Sequence, residues 1–110
     1  MTRMWMVNPK TMCRNHLLGE HKELHQLVGT ILLGRMNVVH GHAKKGQVQC
    51  RSIQSRHIEL VLEMLSRGYN HQSPLPEFDF LDVGEIDLEE SDKELRRRCN
   101  KCSSLRLSFL

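Results

Sequence analysis

The sequence predicts a mostly α-helical protein, a small single domain of about three helices. Apolar residues recur at three- and four-residue steps in two long stretches, residues 16–33 and 53–67, and this is the period of an amphipathic helix. A length of 110 residues suits one domain, so residues 1–110 are expected to share one core. No apolar run approaches the roughly 18 residues that a membrane span needs. We therefore expect no membrane segment.

The first long helix is predicted over residues 16–33, after a brief helical turn that Asn8 and Pro9 open. Asn15 is its expected N-cap and Gly34 its expected C-terminal stop. Its apolar stripe consists of Leu17, Leu18, His21, Leu24, Val28, Ile31 and Leu32. Its opposite face carries His16, Glu20, Glu23 and Gln26. These four polar side chains are expected to project together toward solvent or a ligand.

A second helix is predicted from about Ile53 to Arg67, capped by Ser52 and closed by Gly68. Its buried stripe is expected to be Ile53, His57, Val61, Met64 and Leu65. The other face carries Arg56, Glu59, Glu63 and Arg67. Their spacing is that of ordinary ion pairs on a helix surface.

The remaining segments carry weaker signals. Residues 35–51 are basic, contain two glycines and lack an amphipathic period, which predicts a loop with Lys44 and Lys45 at its tip. After Asn70, two prolines and alternating acids predict an extended segment that wraps the helices. A third, weaker helix is predicted over about residues 89–98.

Charge is distributed unevenly along the chain. Residues 1–70 hold ten Lys and Arg against four Glu, a net charge of +6 without the histidines. Residues 71–94 have a net charge of −8 and residues 95–110 a net charge of +5. A basic body is typical of a protein that binds a polyanion such as nucleic acid. Ordinary solvated ion pairing is the alternative explanation.

Two groups near the start of the chain have the chemistry needed to form an imine. Removal of Met1 is favoured by the small Thr2 and leaves a free α-amine beside Arg3. The reference pKa of such an amine is about 7.7–8.0, so part of it is neutral and nucleophilic near pH 7. Glu23 follows Lys22 on the polar face of the first helix, and a carboxylate beside an amine can move protons during imine formation. A frayed terminus and a solvated helix face are the alternatives.

The cysteines offer half of a metal site. Cys99 and Cys102 form one Cys-x2-Cys pair, which would need Cys13, Cys50 or histidines from elsewhere to complete a zinc site. The N-terminal residues MTRMWMVNPK lack the continuous apolar region of a secretory signal, so we expect a cytoplasmic protein with free thiols or metal ligands. One Cys-x2-Cys pair supplies only two of the four ligands of a zinc site, so no metal is assigned from it.

Three separated segments together resemble the pyrimidine-dimer DNA glycosylase family over about residues 2–75. They are the start MTR, the helix HLLGEHKEL at 16–24 and RHIELVLEMLSRGYNHQSPL at 56–75. The resemblance implies a small helical domain whose N-terminal segment threads between helices and delivers its amine to the cleft. It also implies a glycosylase with abasic-site lyase activity that needs no cofactor.

The resemblance implies a role for each matching residue. Thr2 supplies the amine that attacks C1′ of the damaged nucleotide, and Glu23 stabilises the cationic sugar and assists elimination. Arg3, Lys22 and His16 hold the DNA. The expected substrate is double-stranded DNA that contains a cyclobutane pyrimidine dimer, and the expected enzyme is a monomer associated with the nucleoid.

The chain also departs from the family. The phage member has arginines where this chain has Lys22 and Gln26, and lysine lacks the planar fork that grips phosphate. Gln26, Lys44 and Lys45 complete the candidate DNA-binding residues. Residues 76–110 form a divergent tail, acidic and then basic. A non-catalytic DNA-binding module and a zinc-stabilised interaction protein are the alternatives to an enzyme.

Overall fold

The computed structural model describes residues 2–71 and 73–108, and within them the fold is all-helical. The described residues form no strand. The five α-helices are α1 (Arg14–Leu32), α2 (Met36–Lys44), α3 (Ile53–Ser66), α4 (Leu88–Arg98) and α5 (Asn100–Leu107). Two short 3₁₀ turns span Pro9–Thr11 and Cys50–Ser52. The mostly α prediction is confirmed, although the helices number five in the described ranges instead of about three.

Helices α1 and α3 pack against each other and form the centre of the core. The fully buried side chains of this layer include Leu17, Leu24, Leu27, Val28, Ile53 and Leu60. The predicted cap of α1 is wrong, because Cys13 is the N-cap and Asn15 already lies inside the helix. The predicted end is right, since Gly34 has φ +72°, a left-handed conformation that glycine adopts without strain.

The predicted stripe of α3 is partly wrong. Val61 is half-exposed and Leu65 is 52% exposed, whereas Leu60 is fully buried. Arg56, expected on the surface, is 1% exposed. The apolar stripe is therefore rotated from the predicted one, and a charged residue occupies part of the buried face.

Arg56 and Glu20 form a buried ion pair that joins α3 to α1. The Arg56 Nε and Nη2 atoms donate to the two Glu20 carboxylate oxygens at 2.6 and 2.9 Å. Arg56 Nη1 donates to the Val7 carbonyl at 2.7 Å. The prediction that Glu20 faces solvent or a ligand is wrong, because this paired geometry satisfies both buried charges inside the protein.

Part of the predicted loop over 35–51 is helix α2. One fully buried residue, Val39, anchors this helix, so the sequence shows too little apolar repetition to predict it. Lys44 is its last residue and Lys45 its C-cap.

The N-terminal segment threads between the helices, as the resemblance implied. Met4, Trp5 and Val7 are buried. The Met4 N–H donates to the Gln47 carbonyl at 2.8 Å, and the Trp5 carbonyl accepts from the Ser91 hydroxyl at 2.6 Å. These bonds hold the segment between the residues that follow α2 and the middle of α4.

The C-terminal part begins as an extended segment and ends in two helices. The Cys50 N–H donates to the Val83 carbonyl at 2.9 Å. Gly84 has φ +86°, and an added Cβ would lie 2.2 Å from the Val48 carbonyl oxygen, so this close approach requires glycine. The weak helix predicted over 89–98 is α4, whereas α5 was not predicted. Among the described residues, no helix combines the length and the apolar character that crossing a membrane requires.

Candidate functional site

A small cleft of about 190 Å³ lies where the N-terminal segment crosses the polar face of α1. Its lining residues come from the N-terminal segment, α1 and the end of α4, and are Arg3, Trp5, Asn15, His16, Gly19, Glu20, Glu23 and Arg98. The cleft therefore joins two distant parts of the chain around the Glu23 carboxyl.

Glu23 is half-buried in this cleft. Burial raises the pKa of its carboxyl to about 7, although the Arg3 main-chain N–H hydrogen bond and the Arg3 charge act in the opposite direction. A carboxyl with such a pKa exchanges protons readily at neutral pH. It can therefore stabilise a cation in one step and accept a proton in another.

The Arg3 main-chain N–H donates a hydrogen bond to the Glu23 carboxyl. Thr2 directly precedes Arg3, so the start of the described chain lies beside this carboxyl. Thr2 itself is half-buried. The expected removal of Met1 concerns a residue that lies outside the described ranges.

Arg3 supplies a cation to the same cleft. Its guanidinium carbon lies 4.2 Å from the centroid of the Trp5 ring, a distance typical of cation–π contact. Its Nε atom is buried and has no hydrogen-bond partner among the described residues. Burial and the nearby Arg98 charge lower the pKa of Arg3.

Trp5 lines the cleft although the sequence analysis did not single it out. The Arg98 guanidinium carbon lies 5.9 Å from the centroid of the Trp5 ring, so both arginines contact one aromatic side chain. Arg98 also pairs with Glu94 at 2.5 Å. Trp5 could have been singled out from the sequence, because it is the single tryptophan of a chain with few aromatic residues.

Four further predicted DNA-binding residues, Lys22, Gln26, Lys44 and Lys45, are distributed around the site. Lys45 lines a second cleft that also contains Arg3 and Arg98, together with the acidic residues Glu85, Asp87, Glu90 and Glu94. Lys22, Gln26 and Lys44 are exposed, and in the described part of the chain they line neither of these two clefts. The structure thus brings Lys45 toward Arg3 and leaves the other three on the outer surface.

His16 lines the cleft but turns its Nδ1 atom toward a group of cysteines. This atom lies 3.2 Å from Cys13 Sγ and 3.7 Å from Cys102 Sγ. Burial, followed by the Arg98 charge, lowers the pKa of His16. Cys99 completes the group, with its Sγ atom 3.8 Å from Cys13 Sγ.

Cys50 does not belong to this group. It is buried, and desolvation raises the pKa of its thiol to about 11. Cys99 and Cys102 therefore lie together with Cys13 and His16, and not with Cys50.

Four other histidines converge between α1, α3 and the segment after α3. The ligand nitrogens of His21, His25, His57 and His71 all lie within 4.8 Å of one another. Burial and the neighbouring histidines lower the pKa of His21 to about 4. The interpretation of His21 and His57 as core or interfacial residues fits their burial, but the sequence did not predict that four rings would meet.

The raised pKa of Glu23 predicts a cost in stability. Between its ordinary pKa of 4.5 and about 7, the folded protein holds a proton that the unfolded chain has lost. The free energy of unfolding therefore decreases as pH rises through this window. Because glutamine stays neutral, we expect Glu23→Gln to gain thermal stability over the parent between about pH 5 and about pH 8.

Thermal denaturation of both proteins at the two pH values measures this difference. Glu89→Gln, which removes an exposed carboxyl, is the matched control. A stability difference for Glu23→Gln that stays constant with pH would contradict the assignment of a buried, protonated carboxyl.

Comparison with known proteins gives one match. A protein-family model described as pyrimidine dimer DNA glycosylase matches residues 2–77, more than two thirds of the 110 residues. The matched range contains the N-terminal segment and helices α1 to α3, whereas α4 and α5 lie beyond it. No curated protein and no solved structure matches the chain.

Proposed function

Because the chain belongs to the pyrimidine dimer DNA glycosylase family, we propose that it excises a damaged pyrimidine and then nicks the strand as an abasic-site lyase. One observation carries the proposal. The Arg3 main-chain N–H contacts a half-buried Glu23 carboxyl whose pKa is about 7. This contact supports the proposal, because a carboxyl with such a pKa can move protons at neutral pH beside the N-terminal residues.

The proposed nucleophile is the α-amine of Thr2, after removal of Met1. Its nitrogen forms a bond to C1′ while the bond from C1′ to the pyrimidine breaks, and the electron pair leaves with the base. The proton that the amine loses goes to the departing base. The sugar ring then opens, its ring oxygen takes a second amine proton, and an imine links Thr2 to the DNA.

Glu23 acts in both halves of this reaction. Its carboxylate stabilises the positive charge that develops on the sugar as the base departs. It then accepts the C2′ proton, and the electrons of that bond expel the 3′ phosphate, which breaks the strand. A carboxyl that is half ionised near pH 7 suits both roles, because it accepts and returns a proton at little cost.

The arginines position the DNA backbone. The partly exposed Arg3 side chain is the proposed phosphate contact, and Trp5 supports its guanidinium. Arg98 and Lys45 join Arg3 in the adjoining cleft, where they are the proposed phosphate contacts among four acidic residues. His16 contacts the DNA from the wall of the cleft, whereas Lys22, Gln26 and Lys44 contact phosphates farther from the lesion.

Two of the four acidic residues of the adjoining cleft, Glu85 and Glu94, are paired with arginines. Glu94 pairs with Arg97 and Arg98, and Glu85 pairs with Arg51 at 2.6 Å. Arg97 and Arg98 share the single Glu94 carboxylate, so this end of α4 keeps a net positive charge. The proposed enzyme is a monomer that acts on nucleoid DNA in the cytoplasm, where it kinks the duplex or extrudes a base to reach C1′.

Three DNA duplexes, assayed side by side, test the proposed function. One contains a single cyclobutane pyrimidine dimer, one an abasic site and one no damage. We expect strand breaks at the dimer and the abasic site without alkali treatment, and none in undamaged DNA. Breaks that appear only after alkali would indicate a glycosylase without lyase activity. Binding to all three duplexes without base release or cleavage would contradict the proposal and favour a DNA-binding module.

A further inference from the structure

The group formed by Cys13, His16, Cys99 and Cys102 has the dimensions of a tetrahedral metal site. Zinc bonds of about 2.3 Å to sulfur and about 2.0 Å to nitrogen separate two sulfurs by about 3.8 Å, and sulfur from nitrogen by about 3.5 Å. The Cys13 and Cys99 Sγ atoms are 3.8 Å apart. His16 Nδ1 lies 3.2 and 3.7 Å from the sulfurs of Cys13 and Cys102. All four ligand atoms lie within 4.8 Å of one another.

The surroundings of the sulfurs suit thiolates. The Cys13 N–H donates to Cys102 Sγ at 3.2 Å, and the Cys102 N–H donates to Cys99 Sγ at 3.4 Å. Such N–H donors from beyond the ligand atoms orient the thiolates of a metal site. Cys13 and Cys102 are buried, so the centre of the group is shielded from water.

A disulfide does not explain this geometry. All four cysteines of the chain are free. The 3.8 Å between Cys13 and Cys99 sulfurs is far longer than a disulfide bond of about 2.05 Å. A single disulfide would also use only two of the three sulfurs, and would leave the third sulfur and the imidazole unexplained.

We propose that Cys13, His16, Cys99 and Cys102 bind one structural Zn²⁺ ion. Three thiolates and one imidazole are a donor set that selects zinc, and four protein ligands leave no open position for catalysis. The ion fastens the start of α1, inside the family-matched range, to the junction of α4 and α5 beyond it. The zinc proposal does not rest on the proposed glycosylase chemistry.

The ion also shapes the neighbouring cleft. Arg98, which lines the cleft, directly precedes the ligand Cys99. His16 contributes one ring atom to the cysteine group and also lines the cleft. Zinc therefore holds Arg98 near Trp5, and its loss releases α4 and α5 from the N-terminal part of the domain.

Metal analysis of the untagged protein tests the zinc proposal. We expect about one zinc per chain at this site, and on Co²⁺ substitution the thiolate charge-transfer and tetrahedral d–d bands. Cys99→Ala should lose the zinc and the cobalt spectrum. Cys50→Ala, which removes a thiol outside the group, should retain both.

Two results would overturn the zinc proposal. One is wild-type protein, folded by circular dichroism, that shows no thiolate–cobalt spectrum when Co²⁺ is supplied. The other is retention of the thiolate–cobalt spectrum by a folded Cys99→Ala variant. The first of these results is measured on the wild-type protein, so the proposal can be tested even if a variant misfolds.

A separate observation carries a second metal proposal. The Nε2 atoms of His25 and His57 are buried and have no hydrogen-bond partner among the described residues. The rings of His25 and His57 both contact the ring of His21, and the His21 and His71 Nε2 atoms lie 2.9 Å apart. Buried unpaired imidazole nitrogens are costly unless they are bound. We infer that His21, His25, His57 and His71 bind a divalent transition-metal ion through imidazole nitrogens alone.

Metal stoichiometry separates the two sites. After dialysis against Zn²⁺, we expect the wild-type protein to hold a second ion that Cys99→Ala retains. His71→Ala should lose this ion while keeping the thiolate–cobalt spectrum. His40→Ala, which removes an exposed histidine, should keep both ions. A wild-type protein that binds no ion beyond the one lost in Cys99→Ala would contradict the histidine site.

Discussion

Replacing Glu23 by glutamine is expected to lower turnover on dimer-containing DNA by about 10²-fold or more, the scale on which enzymes lose general acid–base catalysis. Glutamine keeps the size and polarity of the side chain but cannot carry the negative charge that stabilises the sugar cation. It also cannot accept the C2′ proton. Folding and DNA affinity should remain close to those of the parent, because Glu23 faces the cleft and is only half-buried.

Single-turnover cleavage of a defined dimer duplex measures this loss, with binding recorded on the same duplex. Glu89→Gln is the matched control, since it also removes one carboxyl but lies on the exposed surface of α4. Near-parental cleavage by Glu23→Gln would reject Glu23 as a catalytic residue. A comparable loss in Glu89→Gln would attribute the effect to overall charge.

Replacing Arg56 by methionine is expected to destabilise the protein by about 3–5 kcal/mol, the cost of leaving a buried charge without its partner. The Glu20 carboxylate would lose both of its hydrogen bonds from Arg56. The Val7 carbonyl would lose a third, which helps to hold the N-terminal segment. Urea denaturation measures the change in the free energy of unfolding.

Two further variants make this second result specific. Arg51→Met removes an exposed arginine that pairs with Glu85, and such surface pairs are worth at most about 1 kcal/mol. Arg56→Met combined with Glu20→Leu removes both charges and should recover part of the lost stability. A loss for Arg56→Met no larger than that for Arg51→Met would contradict a structural ion pair.

The sequence predicted the long helices better than the short ones. Helices α1 and α3 bury several residues each at helical spacing, and that repetition is visible in the sequence. Helix α2 buries one residue and α5 buries one, Cys102, so their positions depend on contacts with the rest of the fold. Such tertiary contacts leave no periodic signal.

Part of the site was also predictable. Glu23 and Arg3 lie together in the cleft, as expected, and both belong to the segments that carried the family resemblance. Glu20 and Arg56 were assigned to exposed faces, because periodicity alone does not show that two opposite charges from separate helices meet inside a core. Cys13 and Cys102 are 89 positions apart in the chain, so only the fold shows that they meet.

Borohydride trapping tests the central claim, that the reactive amine belongs to Thr2. Protein with a verified Thr2 N-terminus is incubated with an abasic duplex, and the imine is reduced to a stable amine. Proteolysis and mass spectrometry then locate the linkage. We expect DNA on the Thr2 α-amine, the same product with Thr2→Ala, and no product when the amine is acetylated. DNA attached to a lysine such as Lys22, or strand cleavage by the acetylated protein, would contradict the mechanism.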